Sequence, residues 1–212
     1  KHNGDDRGWA SKIQLNNTKL LKSSKQLELI SALDYEYVQK KFSPLERLRN
    51  VEFTRDWGLQ LQSVPVPVDE NIIKASLGLR DKKDHSFSYQ LIHYNRSDNY
   101  KGLQHQLKHM ADWKGWRFNN QFVVTGFDYS QNKGSFLRPS LDLSKQLKKL
   151  DNWRAGINYS LERSATTYKV SDTLTPGSFF FDVYSAYLKS DESKKDKYAV
   201  TFFTRSDKYA LG

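Results

Sequence analysis

The chain contains no cysteine, so disulfides and thiolate metal sites are excluded, and the redox compartment stays open. Long apolar runs are also missing. The longest span only a few residues, far short of the ~20 that a membrane helix requires, so any crossing of a bilayer would be made by strands. There is no G-x-G-x-x-G, no G-x-x-x-x-G-K-[ST] and no EF-hand loop, which removes the usual nucleotide and calcium signatures. The chain opens at Lys1 without an initiator Met or a signal-like apolar stretch. It therefore reads as processed, excised from something longer, or partly represented. Hydrophobic content is low at 37 %, with a mean hydropathy of −0.77.

Aromatics are abundant at 14 %, with twelve Tyr, twelve Phe and five Trp in 212 residues. Low hydropathy combined with many aromatics is unusual for disorder. It suits a sheet with one wet face, where Tyr and Trp sit at apolar–water boundaries. The length fits one all-β domain. The net charge of +10 brings nucleic acid to mind, but the basic residues are spread over nearly every turn in company with acids. Solvated turns account for them, so no nucleic-acid partner is expected. An anionic lipid or glycan surface is equally compatible.

The clearest pattern lies in residues 153–204. Ala155, Ile157, Tyr159 and Leu161 alternate with polar residues, as a strand between an apolar and an aqueous medium requires. Phe179, Phe181, Val183 and Tyr187 begin a second run, a charged turn covers 189–197, and Tyr198, Val200 and Phe202 form a third. The same plan recurs from the start. Ile13 and Leu15 are followed by Leu27, Leu29, Leu33, Tyr35 and Tyr37. Ile73, Ala75, Leu77 and Leu79 come next, then Phe87, Tyr89 and Leu91. Residues 102–111 fit a helix or a strand, and their place between short turns favours a strand. Trp116, Phe118, Phe122 and Val124 precede a weaker run over 136–147, where Pro139 argues against a central strand.

About ten strands are predicted, in an antiparallel up-and-down meander forming a closed transmembrane β-barrel or an arc of a larger one. Long loops are expected at about 39–70, with a helical turn near 43–49, and at 163–178. Together they hold four of the five prolines. Both would lie at one end of the meander, a pattern of outer-membrane barrels.

The segments 35–58 (YEYVQKKFSPLERLRNVEFTRDWG) and 135–163 (SFLRPSLDLSKQLKKLDNWRAGINYSLER) resemble stretches of very large, poorly characterised outer-membrane β-barrel proteins of Bacteroidetes-type bacteria, and FFFDVYSAYLKSDESKKDKYAVTFFTRSD is similar too. The resemblance implies a bacterial outer-membrane location and a chain that is a piece of a larger barrel. Its partners would be membrane lipid or lipopolysaccharide, other outer-membrane subunits or the rest of a longer chain. It implies no reaction and no cofactor.

Candidate chemistry is sparse. His105 and His109 form H-x-x-x-H, but on a strand they stand ~13 Å apart, so no shared metal is expected. Asp112 with His109, and Ser86 or Ser88 with His85, lack an orienting motif, and no enzymatic activity is expected. Asn16, Asn95 and Asn158 head glycosylation-like triplets that read as turn and strand residues. Trp113, Trp116, Trp153, Tyr187 and Tyr198 lie near strand ends and are the candidate membrane-interface aromatics. The expected role is transport, assembly or scaffolding at the cell surface. The alternative is a soluble β-rich module binding carbohydrate or another surface component.

Overall fold

The computed structural model describes residues 8–21, 27–42, 53, 56–57, 59, 67–82, 85–129, 132–150, 153–170, 173–190 and 197–211, with backbone alone for 168–170, 173–179 and 208–211. The expected helical turn at 43–49 lies outside these residues.

Ten strands run in chain order: β1 (Ala10–Leu20), β2 (Glu28–Val38), β3 (Glu70–Arg80), β4 (Ser86–Arg96), β5 (Lys101–Trp113), β6 (Trp116–Tyr129), β7 (Asn132–Leu147), β8 (Trp153–Val170), β9 (Thr173–Lys189) and β10 (Ala199–Leu211). They form a single sheet in which each strand pairs antiparallel with the next. Residues 102–111 lie within β5, as their flanking turns required. The β5–β6 turn is Lys114–Gly115, both with positive φ (49° and 81°), the left-handed pair that a two-residue hairpin needs. The sheet is open, because β1 and β10 each have a paired neighbour on one side only.

Residues directly opposite one another share a face, so the register sorts the whole sheet. One row reads Leu15, Leu33, Ala75, Leu91, His105 and Val124 from β1 to β6. Another reads Leu143, Ile157, Ala186 and Phe202 from β7 to β10. This is the apolar face. The row one residue away, Asn16, Ala32, Ser76, Gln90, Gln106 and Val123, belongs to a predominantly polar face. The alternation runs in phase from β1 to β8, whereas β9 and β10 carry large apolar side chains on both faces.

Pro139 sits in a central strand after all. It pairs with Phe122 of β6, while the β7–β8 ladder is interrupted between the pairs Leu137↔Arg163 and Ser140↔Ser160. The gap falls where a residue without N–H can be tolerated, and Arg138 bridges it by donating to Glu162 at 2.7 Å.

Two expectations fail. Residues 163–178 are not a loop: β8 and β9 stay paired out to Val170↔Thr173. The β-branched Thr166, Thr167, Thr173 and Thr175 favour extended backbone there, and Pro176 is accommodated in β9. The loop asymmetry fails with it, since 97–100, 130–131 and 171–172, at the same end as 39–69, are all short. In β9, moreover, Phe181, Val183 and Tyr187 pair with Glu162, Ser160 and Gly156, so they lie on the polar face. Tyr184, Ala186 and Leu188 take the apolar face instead.

Candidate functional site

Burial is concentrated on the polar face, at the end of the sheet nearest 39–69. Ile72, Tyr94 and Phe127 are buried there, together with Trp57 and Tyr100 from the connections. The described part of 39–69 comes back over this face. The Tyr100 hydroxyl donates to the Trp57 carbonyl at 2.6 Å, and Arg138 donates to Asp56 at 2.9 Å. Gly102 makes the approach possible, because a Cβ there would lie 2.6 Å from the Trp57 ring. Tyr94, Tyr100, Phe127 and Phe136 continue the ring contacts at 5.3–6.2 Å. Burial pushes the Tyr100 phenol well above its ordinary value, with Arg96 opposing and Asp98 reinforcing the shift.

Nearer the other end, the polar face holds a trough of about 500 Å³ that crosses β5 to β10. Arg117, Asp142, Asn158, Arg154, Tyr187 and Lys189 are among its walls. Gly156 lies opposite both Ser144 and Tyr187, and the Tyr187 ring occupies the space a Cβ at Gly156 would need. Lying down in this way, Tyr187 reaches past β8 and donates to both Asp142 carboxylate oxygens at 3.0 Å. Arg117 is held by Asp112 at 2.9 and 3.1 Å. Arg154 donates to the buried Ser144 hydroxyl at 3.3 Å.

The histidines singled out in the sequence, His85, His105 and His109, are each satisfied locally. Tyr89 Oη and His105 Nδ1 are 2.7 Å apart, and Asn120 Nδ2 lies 3.3 Å from His109 Nδ1. Asp112 is on the opposite face from His109, so these two do not form a dyad. His85 is held at Nδ1 by Asp81 at 3.0 Å and at Nε2 by the Asp112 carbonyl, which engages both ring nitrogens and leaves neither for Ser86 or Ser88. Among the described residues, no cluster of three or more His, Asp or Glu side chains could hold a metal.

Of the aromatics singled out in the sequence, Trp113 and Trp116 face each other across the β5–β6 turn. Lys114 caps the Trp113 ring and Lys145 the Trp116 ring. Trp153 opens β8 at the same end, paired with Leu147, and Tyr198 stands just before β10 with 63 % exposure. Tyr187 does not belong with them. It is on the polar face, turned there by its pairing with Gly156 and Thr201.

The Arg154, Asp142 and Tyr187 arrangement was missed in the sequence. The available signal was the glycine at 156 inside a strongly alternating strand, since a strand glycine often marks a close approach. The chain matches no protein-family model, no curated protein and no solved structure.

Proposed function

We propose that this chain forms the wall of a bacterial outer-membrane β-barrel, whole or part of a larger one, with a transport, assembly or scaffolding role. The apolar face meets lipid in this reading, and the polar face lines the interior. The observation that carries it is the position of the exposed large hydrophobics. Ile13, Leu15, Leu33, Ile73, Leu77, Phe87, Leu103, Phe122, Leu141, Ile157, Tyr184, Val200 and Phe202 are all exposed and fall on one face by register, against Leu20 and Phe203 on the other.

The size of that face argues in the same direction. At ~4.8 Å between strands and ~3.3 Å per residue, with the usual tilt, the band is roughly 40 Å wide and 20 Å tall. This exceeds the ~300–600 Å² of the largest apolar patch on an ordinary soluble monomer. Its height approaches the ~25 Å apolar band of outer-membrane barrels. A shallow groove of about 760 Å³, lined by Phe118, Leu141, Ile157, Tyr184 and Phe202, suits acyl chains. His93, His105, His109, Asn120, Arg163 and Asp182 are polar intrusions on this face by register. His105 is partnered by Tyr89, His109 by Asn120 and Asp182 by Tyr159, all on the same face.

An open edge in hydrocarbon leaves unpaired N–H and C=O groups at several kcal/mol each. In a membrane, β1 and β10 must therefore pair with each other or with further strands. Lipid or lipopolysaccharide against the apolar face, and neighbouring strands or subunits at the edges, are the partners this reading requires. The test is extraction. The protein should leave membranes only with detergent and should shift its gel mobility on heating. Solubility without detergent as a monodisperse species would instead support the carbohydrate-binding soluble module.

A further inference from the structure

We infer that the trough on the polar face is a binding site for an acidic saccharide, with the carboxylate held at Arg154 and Lys189 and the hydroxyls at Asp142 and Asn158. The trough exists on the polar face whatever covers the other one, so this inference does not depend on the membrane reading. Its volume of about 500 Å³ falls within the ~300–1,000 Å³ of small-ligand sites.

Asp142 and Arg154 are arranged unlike the members of an internal ion pair. The two line the same trough, yet they are not bonded to each other. Among the described residues, Asp142 accepts only the Tyr187 hydroxyl, and Arg154 has only the Ser144 hydroxyl, at 3.3 Å. Arg117, by contrast, is fully engaged with Asp112. The register explains the separation. Asp142 faces Asn158, whereas Arg154 faces Gln146 and Lys189, a displacement of ~13 Å along the strands. One end of the trough is thus cationic, and the other offers carboxylate, amide and phenol groups.

A guanidinium without a carboxylate partner is suited to an anion that brings two acceptor oxygens. A carboxylate beside an asparagine is suited to hydroxyl donors. A ligand that carries an acid at one end and hydroxyls at the other satisfies both ends at once. Tyr187 spans them. Its ring, lying over Gly156, forms a flat floor on which a sugar ring can stack, and its hydroxyl holds the Asp142 carboxylate in place.

The test is a titration of the purified chain with glucuronate, glucose and inorganic phosphate, read by calorimetry at low and high salt. Glucuronate should bind more tightly than glucose or phosphate and should weaken as salt rises. Arg154→Gln should weaken glucuronate tenfold or more, Arg154→Lys should retain part of the affinity, and Asp142→Asn should weaken it without removing its salt dependence. Lys74→Gln, which removes a cation elsewhere on the polar face, should leave binding unchanged. Equal binding by wild type and Arg154→Gln would overturn the proposal. So would glucose binding as tightly as glucuronate, phosphate binding as tightly as glucuronate, or no binding of glucuronate at all.

Discussion

Leu33 offers the sharpest thermodynamic test, because lipid and water assign opposite consequences to the same substitution. It lies in the middle of the apolar stretch of β2, between Leu15 and Ala75, and is 46 % exposed. If that exposed half meets water, Leu33→Arg removes little burial and should stay within about 0.5 kcal/mol of wild type, as surface substitutions do. If it meets hydrocarbon, an arginine at this depth costs ~2–4 kcal/mol, a shift of roughly 30- to 700-fold in the unfolding equilibrium. With a urea slope near ~2 kcal/mol/M, the midpoint falls by ~1–2 M.

The matched control is Ala32→Arg. Its neighbours across the strands are Asn16 and Ser76, on the polar face, so its midpoint should move by less than ~0.3 M. Both variants would be folded into lipid vesicles and unfolded in urea, with tryptophan fluorescence as the readout. A lipid contact at Leu33 is refuted if Leu33→Arg unfolds with wild type, or if Ala32→Arg is the more damaging of the two.

Further consequences follow from the packed end of the polar face. Gly102→Val should drive the Trp57 ring off the sheet, destabilise by ~1–3 kcal/mol and red-shift the tryptophan emission. Because burial holds the Tyr100 phenol neutral, its contribution is complete below pH ~10 and is lost as pH rises above that, where the unfolded chain ionises first. An alkaline unfolding series should show this decline in wild type and a smaller one in Tyr100→Phe, which also loses the bond to the Trp57 carbonyl at ~1–3 kcal/mol. Arg138→Met leaves Glu162 unpaired beside the interrupted β7–β8 ladder and should cost up to ~3 kcal/mol. A double-mutant cycle with Glu162→Gln would then report the coupling.

The period-two pattern made the strands legible because most of them carry apolar residues on one side only. Ile73, Ala75, Leu77 and Leu79 against Lys74, Ser76 and Gly78 admit no second phase. Where both sides are aromatic the pattern fails to choose. In β9, Phe181, Val183 and Tyr187 compete with Phe180, Tyr184 and Leu188, and only the register with Gly156 and Ser160 settles the face. Prolines misled twice. Pro139 argued against a strand that exists, and Pro176 helped to suggest a loop where β8 and β9 continue. In both cases the ladder context decides what a missing N–H costs, and that context is not local. The trough was illegible for a related reason. Asp142, Arg154 and Tyr187 come from three different strands, and the glycine that lets them meet carries no chemistry of its own.

Labelling β3 residue by residue tests the central claim most directly, and the cysteine-free chain needs no background substitutions for it. Single cysteines at Ile73, Lys74, Ala75, Ser76 and Leu77 would carry a nitroxide in lipid vesicles, and collision rates with oxygen and with a water-soluble nickel chelate would be compared. The account predicts strict alternation, with positions 73, 75 and 77 favouring oxygen and positions 74 and 76 favouring nickel. Nickel access at 73, 75 and 77 equal to that at 74 and 76 would contradict it.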